Sequence, residues 1–270
     1  MKVFCLLGDD RAQRSKSPIL HNKAFQTRGI DAHYVSFCVS PELLKNSIIG
    51  FRALGLCGAN VTIPHKENVV SFLDELGPTA KILKAVNTLI VSNGLVIGDN
   101  TDVDGFRDAL STSGFSPEKK SCLVIGTGGA AKAVVLALSE MGVGKIKVAG
   151  RNTSKLLDIS KMLEIEPMSM KELVEASRTA ELIVNATSMS SPDEFDNSMS
   201  GLVASLDCYQ LELIFDLNYG RSENIWEIAS NRMGCKFSHG LVMLAAQAAR
   251  SFNLWTGESA TVSEFTSYLR

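Results

Sequence analysis

The chain lacks what would mark a membrane, metal or nucleic-acid protein. No stretch of its 270 residues approaches the roughly 18 uninterrupted apolar residues of a membrane span. The apolar opening Val3-Phe4-Cys5-Leu6-Leu7 stops at Gly8-Asp9-Asp10, too early for a secretory leader, so none is expected. Charge of one sign is missing too: 27 basic against 29 acidic residues leave a net charge of -2, and no overall field draws the protein to nucleic acid or an acidic membrane. The six cysteines (5, 38, 57, 122, 208 and 235) lie far apart, with no Cys-x-x-Cys and no neighbouring histidine pair. They read as reduced, mostly buried thiols of a cytoplasmic protein, with neither a metal site nor a disulfide framework. Four scattered histidines, no Gly-x-Ser-x-Gly elbow and no H-E-x-x-H leave hydrolase and zinc-protease readings without support. Small-molecule chemistry remains.

What is present is a globular, α/β-patterned chain. With 45% hydrophobic residues it can bury one large or two modest cores. Val3 to Leu7 reads as a buried strand. Residues 17–29 read as a helix with Ser17-Pro18 at N-cap and N1, closed by Gly29. Tyr34 to Val39 then reads as a strand, Pro41 to Leu54 as a helix, and Gly58 to Ile63 as a strand stopped by Pro64. The pattern restarts after residue 102. The run Cys122 to Ile125, the Ala-rich stretch Ala130 to Met141, Lys145 to Ala149, Lys155 to Leu163, Leu182 to Val184 and Leu213 to Phe215 alternate in the manner of parallel βαβ units. Gly240 to Leu254 is apolar nearly all round, which predicts burial.

Gly126-Thr127-Gly128-Gly129-Ala130-Ala131 follows a predicted strand and opens a predicted helix, the context that a dinucleotide-binding glycine turn requires. About 20 residues further on, an NAD-binding unit carries a carboxylate for the ribose hydroxyls. Here the chain reads Gly150-Arg151-Asn152-Thr153-Ser154-Lys155 instead. Two cations and no acid suit a 2′-phosphate, and so NADP.

Four polar runs mark the first half. Ser15-Lys16-Ser17-Pro18 with His21-Asn22 offers hydroxyls at a helix start, where the dipole favours an anion; Ser17 also reads as a plain N-cap. Asn60, Thr62 and Lys66 lie at a strand end and in the turn after it. Ala85-Val86-Asn87-Thr88 and Asn100-Thr101-Asp102-Val103-Asp104-Gly105 follow. One lysine, one nearby carboxylate and several hydroxyls and amides suit a polyhydroxylated carboxylic acid, with no metal-ligand geometry.

These runs resemble the shikimate dehydrogenase family along essentially the whole chain. Its S-x-S-P-x-x-H-N is Ser15 to Asn22, its N-V-T-x-P-x-K is Asn60 to Lys66, its A-V-N-T is Ala85 to Thr88, and its N-T-D-x-x-G is Asn100 to Gly105. The cofactor signature lies at Gly150 to Thr153, N-A-T-S at Asn185 to Ser188, D-x-x-Y at Asp216 to Tyr219, and G-x-x-M-L-x-x-Q at Gly240 to Gln247. The resemblance implies an NADP-dependent oxidoreductase that reversibly reduces 3-dehydroshikimate to shikimate in aromatic amino-acid biosynthesis. It implies two α/β domains: residues 1–102 plus 240–270 for substrate and catalysis, and a doubly wound Rossmann domain at 103–239 for NADP.

By the same resemblance, Lys66 is proton donor and acceptor, assisted by Asp102. Ser15, Ser17 and Tyr219 would hold the substrate carboxylate. Thr62, Asn87, Asp102 and Gln247 would hold ring hydroxyls, while Asn60 assists there or fixes the turn. Gly126, Thr127, Gly128, Gly129 and Ala130 would receive the cofactor with Gly150, Arg151, Asn152, Thr153 and Lys155, joined by Thr187, Ser188, Leu217 and Gly240. The chain departs from the family pattern at Arg14, where a histidine is common, at Ser190, where glycine is usual, and at Gly220-Arg221, where x-Pro commonly follows the tyrosine. Quinate as substrate, or a non-catalytic dinucleotide sensor, are the competing readings; monomer and homodimer both stay open.

Overall fold

The apolar run at the start of the chain becomes β1 (Lys2–Gly8) in the computed structural model, which describes residues 1–194 and 197–270. Phe4 and Leu6 face one core while Cys5 and Leu7 face another. A strand covered on both sides has no reason to alternate with polar residues, and this one does not. Five further strands, β2 (Ala32–Cys38), β3 (Gly58–Val61), β4 (Glu75–Leu76), β5 (Thr88–Ser92) and β6 (Leu95–Asp99), complete a mixed sheet in the order β2-β1-β3-β5-β6-β4. β1 runs parallel to β2 and β3, whereas β3, β5 and β6 run antiparallel in succession. The β5–β6 hairpin has no counterpart in the strand–helix alternation read from periodicity. Its turn is Asn93-Gly94, both at positive φ (51° and 79°), the backbone that a tight hairpin demands and that this pair adopts at little steric cost.

The chain divides into two units, Met1–Gly105 with Leu244–Arg270, and Phe106–Met243. In the first, Leu20, Ala24 and Phe25 of helix Ser17–Thr27 pack with Phe4, Tyr34, Ala245, Ala248, Ala249, Phe252 and Phe265. Positions 245, 248, 249 and 252 lie three or four apart, so helix Leu241–Thr256 buries one stripe here. Leu254 falls off that stripe and is 45% exposed, which limits the predicted all-round burial. The opposite face of the sheet is covered by Leu44, Ile48 and Phe51 of helix Leu44–Ala53.

The second unit holds β7 (Ser121–Ile125), β8 (Lys145–Gly150), β9 (Glu166–Ser169), β10 (Leu182–Asn185), β11 (Leu213–Asp216) and β12 (Lys236–His239). All pairs are parallel, in the order β12-β11-β10-β7-β8-β9. This is the doubly wound arrangement, whose strand order reverses between β7 and β10; ligands bind outside the carboxyl ends of the strands at such a switch point. The six cysteines are free thiols, but only Cys5 and Cys122 are buried, each pushed up to about 12 by burial. Cys38 is exposed, so "mostly buried" does not describe the set.

The C-terminal helix Val262–Ser267 is tied to the first helix by charge. Arg28 grips Glu264 through Nη1 and, at 2.7 Å, Nη2, while Tyr268 Oη donates to the same carboxylate at 2.5 Å. Its bonds with Arg28 hold Glu264 down at about 2 against an ordinary 4.5. A carboxyl lowered by folding stabilises the fold above its unfolded pKa, and that contribution disappears as pH falls through the folded value. Glu264→Gln is therefore expected to cost about 1 kcal/mol, roughly 3 °C in melting temperature at pH 7. The difference from wild type should shrink as thermal melts are taken from pH 5 toward pH 2; a constant difference would contradict the assignment.

Candidate functional site

The polar runs of the first unit meet because of strand direction. β1 and β3 are parallel with Leu7 beside Val61, and two antiparallel steps through β5 bring the end of β6 to the same edge. Ser15 and Ser17 follow β1, Thr62 and Lys66 follow β3, Asn87 precedes β5, and Asp102 follows β6. At this end of the sheet Lys66 Nζ donates to Asp102 Oδ2 at 2.5 Å, with side chains only 15% and 6% exposed. Asn87 Nδ2 donates to the other carboxylate oxygen, Oδ1, at 2.9 Å. Charge-assisted bonds in so dry a setting define the geometry of both partners.

The backbone around the pair is pinned. Val86 N donates to Lys66 O at 2.8 Å, and Asp102 N to Asn100 Oδ1 at 2.9 Å, while Asn100 Nδ2 reaches Ala85 O. Gln247 joins through its Oε1, 3.4 Å from Asn87 Nδ2. Gly105 permits this approach: a Cβ there would lie 2.9 Å from the Gln247 Cβ. Thr62 N donates to Leu7 O, and the Thr62 methyl occupies the space that a Gly8 side chain would need.

At the helix start, the N-cap position falls on Lys16, which makes no side-chain cap bond. Ser17 is the first helical residue rather than the cap, and the Ser15 hydroxyl accepts from Ser17 N and donates to Ser17 Oγ, both at 3.1 Å. Both serines are thus held by each other at the positive end of a helix, without a carboxylate partner among the described residues. His21 and Asn22 turn out to serve the fold: His21 is fully buried against Tyr34, and Asn22 pairs with the Tyr34 backbone through both amide atoms.

In the second unit the glycine turn lies after β7 at the switch point. Gly126 has φ +129°, and a Cβ would sit 2.8 Å from Ala186 O, so only glycine fits. Gly128 caps helix Gly129–Glu140 with open space where its Cβ would be, and so leaves room for an anion against the helix start. Thr127 fills the space a Gly150 side chain would take. Arg151 is exposed beside a groove of about 650 Å³ lined by Gly150, Thr153, Leu157 and Met170. Asn152 has a structural occupation of its own, its Oδ1 accepting from Lys155 N as N-cap of helix Thr153–Met162. Ala130 lies in the first turn of the preceding helix.

The loops after β10 and β11 hang on one buried carboxylate. Asp216 accepts from Asn185 Nδ2 at 2.8 Å, Asn218 Nδ2 at 3.0 Å and Asn224 Nδ2 at 2.7 Å. Thr187 directs its hydroxyl to Asn185 Oδ1 at 2.7 Å, and Leu217 N donates to Asn185 O. Gly240 is obligatory, because a Cβ would meet Leu217 O at 2.0 Å. Ser188 is half-buried in the same loop. Tyr219 belongs to this unit; its carbonyl accepts from Arg221 Nη1 at 3.0 Å.

Two of the unusual residues turn out to be partners. Glu194 accepts from the backbone amides of Ser190 and Ser191 at 2.8 and 3.0 Å and pairs with Arg221 at 2.7 Å. Burial works against that carboxylate, but Arg221 and the two amides overcome it and hold the group below its ordinary range. Ser190 Oγ, fully buried, accepts from Asn218 Nδ2 at 2.9 Å. Arg14 is exposed, and nothing in the structure explains it. Residues that motif reading passed over are Tyr34, Thr88, Thr101 and Ser251, which bond to Asn60 and Asn87. The two threonines stand inside quoted motifs; Ser251, one turn beyond Gln247, carries no such signal.

Comparison with known proteins matches three family descriptions: "Shikimate dehydrogenase substrate binding domain" over residues 6–89, "Shikimate / quinate 5-dehydrogenase" over 109–225 and "Shikimate 5'-dehydrogenase C-terminal domain" over 240–264. A shikimate dehydrogenase (NADP(+)) of Caldanaerobacter subterraneus is 37% identical, covering 95% of this chain and 92% of its own length. One from Moorella thermoacetica is 34% identical over 99% and 92%. Among solved structures, shikimate 5-dehydrogenase from Thermus thermophilus in complex with NADP(H) and shikimate has TM-score 0.85 at 30% identity, covering 99% and 98% of the two chains. Quinate dehydrogenase from Corynebacterium glutamicum in complex with NAD has TM-score 0.84 at 27% identity, covering 99% and 98%. The doubly wound sheet, the glycine turn and the Lys66–Asp102 pair thus stand in a chain that belongs to the shikimate dehydrogenase family.

Proposed function

We propose that the protein catalyses the reversible, NADP-dependent reduction of 3-dehydroshikimate to shikimate in aromatic amino-acid biosynthesis. The observation that carries this reading is the buried Lys66–Asp102 pair, whose carboxylate is completed by Asn87. Bound at the glycine turn of the second unit, the nicotinamide cofactor would supply the hydride chemistry in either direction. Lys66 gives a proton to the oxygen that becomes the alcohol, and the neutral amine takes it back in the oxidative direction. Partial exposure of Lys66 lets the proton be replaced from solvent.

Asp102 fixes the Lys66 ammonium and, with Thr62, Asn87 and Gln247, takes the ring hydroxyls. Ser15, Ser17 and Tyr219 would take the carboxylate, and Asn60 assists at the ring hydroxyls or fixes the turn. The cofactor suits the second unit: a pyrophosphate fits the side-chain-free space at Gly128 and the helix start after it, and Arg151 is free to face a 2′-phosphate. Gly126, Thr127, Gly129, Ala130, Gly150, Asn152, Thr153 and Lys155 shape that side, with Thr187, Ser188, Leu217 and Gly240 on the other. The chain then acts in the cytoplasm on a small molecule, as monomer or homodimer.

The test is nicotinamide absorbance with shikimate and with quinate, each offered NADP and NAD. Rapid oxidation of shikimate with NADP is expected; a preference for quinate or NAD would replace the substrate or cofactor assignment, and silence on all four would leave a sensor. Lys66→Ala should lower kcat by about 10²–10⁴-fold with little change in KM, and near-normal turnover would refute its role. Arg151→Ala should raise KM for NADP about tenfold while KM for NAD barely moves. Equal effects on the two would show that Arg151 does not read the 2′-phosphate.

A further inference from the structure

We propose that Tyr34 and Ser251 are positioning residues for the Lys66–Asp102 pair, acting through a buried chain of hydrogen bonds that ends on the Asp102 carboxylate; the inference rests on the reaction proposed above. The chain lies wholly within the first unit. Its links are Tyr34 to Asn60, Asn60 to Ser251, Ser251 to Thr88, Thr88 to Asn87, and Asn87 to Asp102.

The orientation of its two amides follows from which atoms can only give and which can only receive. Asn87 O, a backbone carbonyl, only accepts, so the Asn60 atom 3.2 Å from it is Nδ2. Asn60 Oδ1 therefore faces Tyr34 Oη at 2.9 Å, and the phenol must donate. At the other end the Thr101 backbone N–H only donates and meets Asn87 Oδ1 at 2.8 Å, which turns Asn87 Nδ2 toward Asp102 Oδ1. Between these fixed amides, Asn60 Nδ2 donates to Ser251 Oγ at 3.0 Å. Ser251 Oγ, which also donates to Gln247 O at 3.0 Å, lies 2.8 Å from Thr88 Oγ1 in a contact that either hydroxyl can donate, and Thr88 Oγ1 donates to Asn87 Oδ1 at 2.9 Å. The contacts run without a break from the phenol to the carboxylate, so each bond polarises its neighbours.

Water cannot substitute for a missing link here. Tyr34, Asn60, Thr88 and Ser251 are at most 4% exposed, and the His21 and Trp255 rings wall in the phenol at centroid distances of 4.4 and 6.1 Å. Full burial pushes His21 down to about 3, so the ring against the phenol is neutral. Removing a hydroxyl therefore leaves its neighbour's donor or acceptor unanswered, and the Asn87 amide, still met by the Thr101 N–H, loses part of what holds its plane. Asn87 then presents Nδ2 to Asp102 less constantly, and Asp102 presents its other oxygen to Lys66 less constantly.

The experiment compares wild type, Tyr34→Phe and Ser251→Ala in shikimate oxidation with NADP, each also built on an Asn87→Ala background. Both substitutions delete one hydroxyl and keep the surrounding shape. Each is expected to lower kcat about tenfold while KM for NADP stays within about twofold, and to cost less than about twofold once Asn87 is already alanine. An active wild type whose Tyr34→Phe and Ser251→Ala forms turn over at the same rate overturns this inference alone. A tenfold loss that persists undiminished without the Asn87 amide also overturns it, because the effect then takes another route. A wild type inert toward shikimate overturns the proposed reaction, and the inference falls with it.

Discussion

A buried carboxylate must be answered by donors, since removing one partner of a buried ion pair costs about 3–5 kcal/mol. Asp102 imposes this requirement on the first unit. Lys66 answers one oxygen and Asn87 the other, and the neighbouring backbone is arranged so that both answers are available. Asn100 caps the Asp102 amide, Thr101 orients Asn87, and the Val86 amide holds the turn that carries Lys66. The sheet matters to this arrangement mainly through its directions: parallel β1 and β3 and the reversed β5 deliver four loops to one edge. A charged pair strong enough to organise the loops is also the group best placed to move a proton.

The second unit solves the same problem without a cation. Asp216, fully buried, is surrounded by the side-chain amides of Asn185, Asn218 and Asn224 together with the Asn218 backbone N–H at 3.1 Å. Neutral donors keep the loops after β10 and β11 rigid while adding no positive charge beside the glycine turn. Positive charge comes instead from the exposed Arg151, from Lys155 and from the helix start after Gly128, where a phosphate-bearing ligand would need it. In the reaction proposed above one carboxylate serves the chemistry while the other holds loops, and the difference lies in what answers them.

Much of this is legible in the sequence, for physical reasons. Strands covered on both faces, such as Cys122 to Ile125, leave uninterrupted apolar runs, and the central strands β7, β10 and β11 of the doubly wound unit are of this kind. The glycine turn is readable because Gly126 has no permitted substitute. The β5–β6 hairpin escapes a reading tuned to strand–helix alternation, although Asn93-Gly94 announces it. Ser17 reads as a cap because serine before proline usually is one; here its neighbour Ser15 bonds to its amide and the helix begins a residue earlier. Ser251 is invisible, since a serine in an apolar helix declares neither its burial nor its partners until Asn60 and Thr88 arrive from distant strands.

The contacts of Glu194 have a consequence for how this chain can change. Ser190 and Arg221 look like two independent departures from the family pattern, yet one carboxylate joins them, and Ser190 also answers the Asn218 amide. The two are not equivalent: glycine at 190 would keep the backbone amide that Glu194 takes and would leave Asn218 Nδ2 its bonds to Thr187 O and Asp216 Oδ1, whereas loss of the arginine would leave Glu194 without its cation. A chimaera that keeps the Glu194 loop of this chain therefore has to keep the loop that carries Arg221 as well.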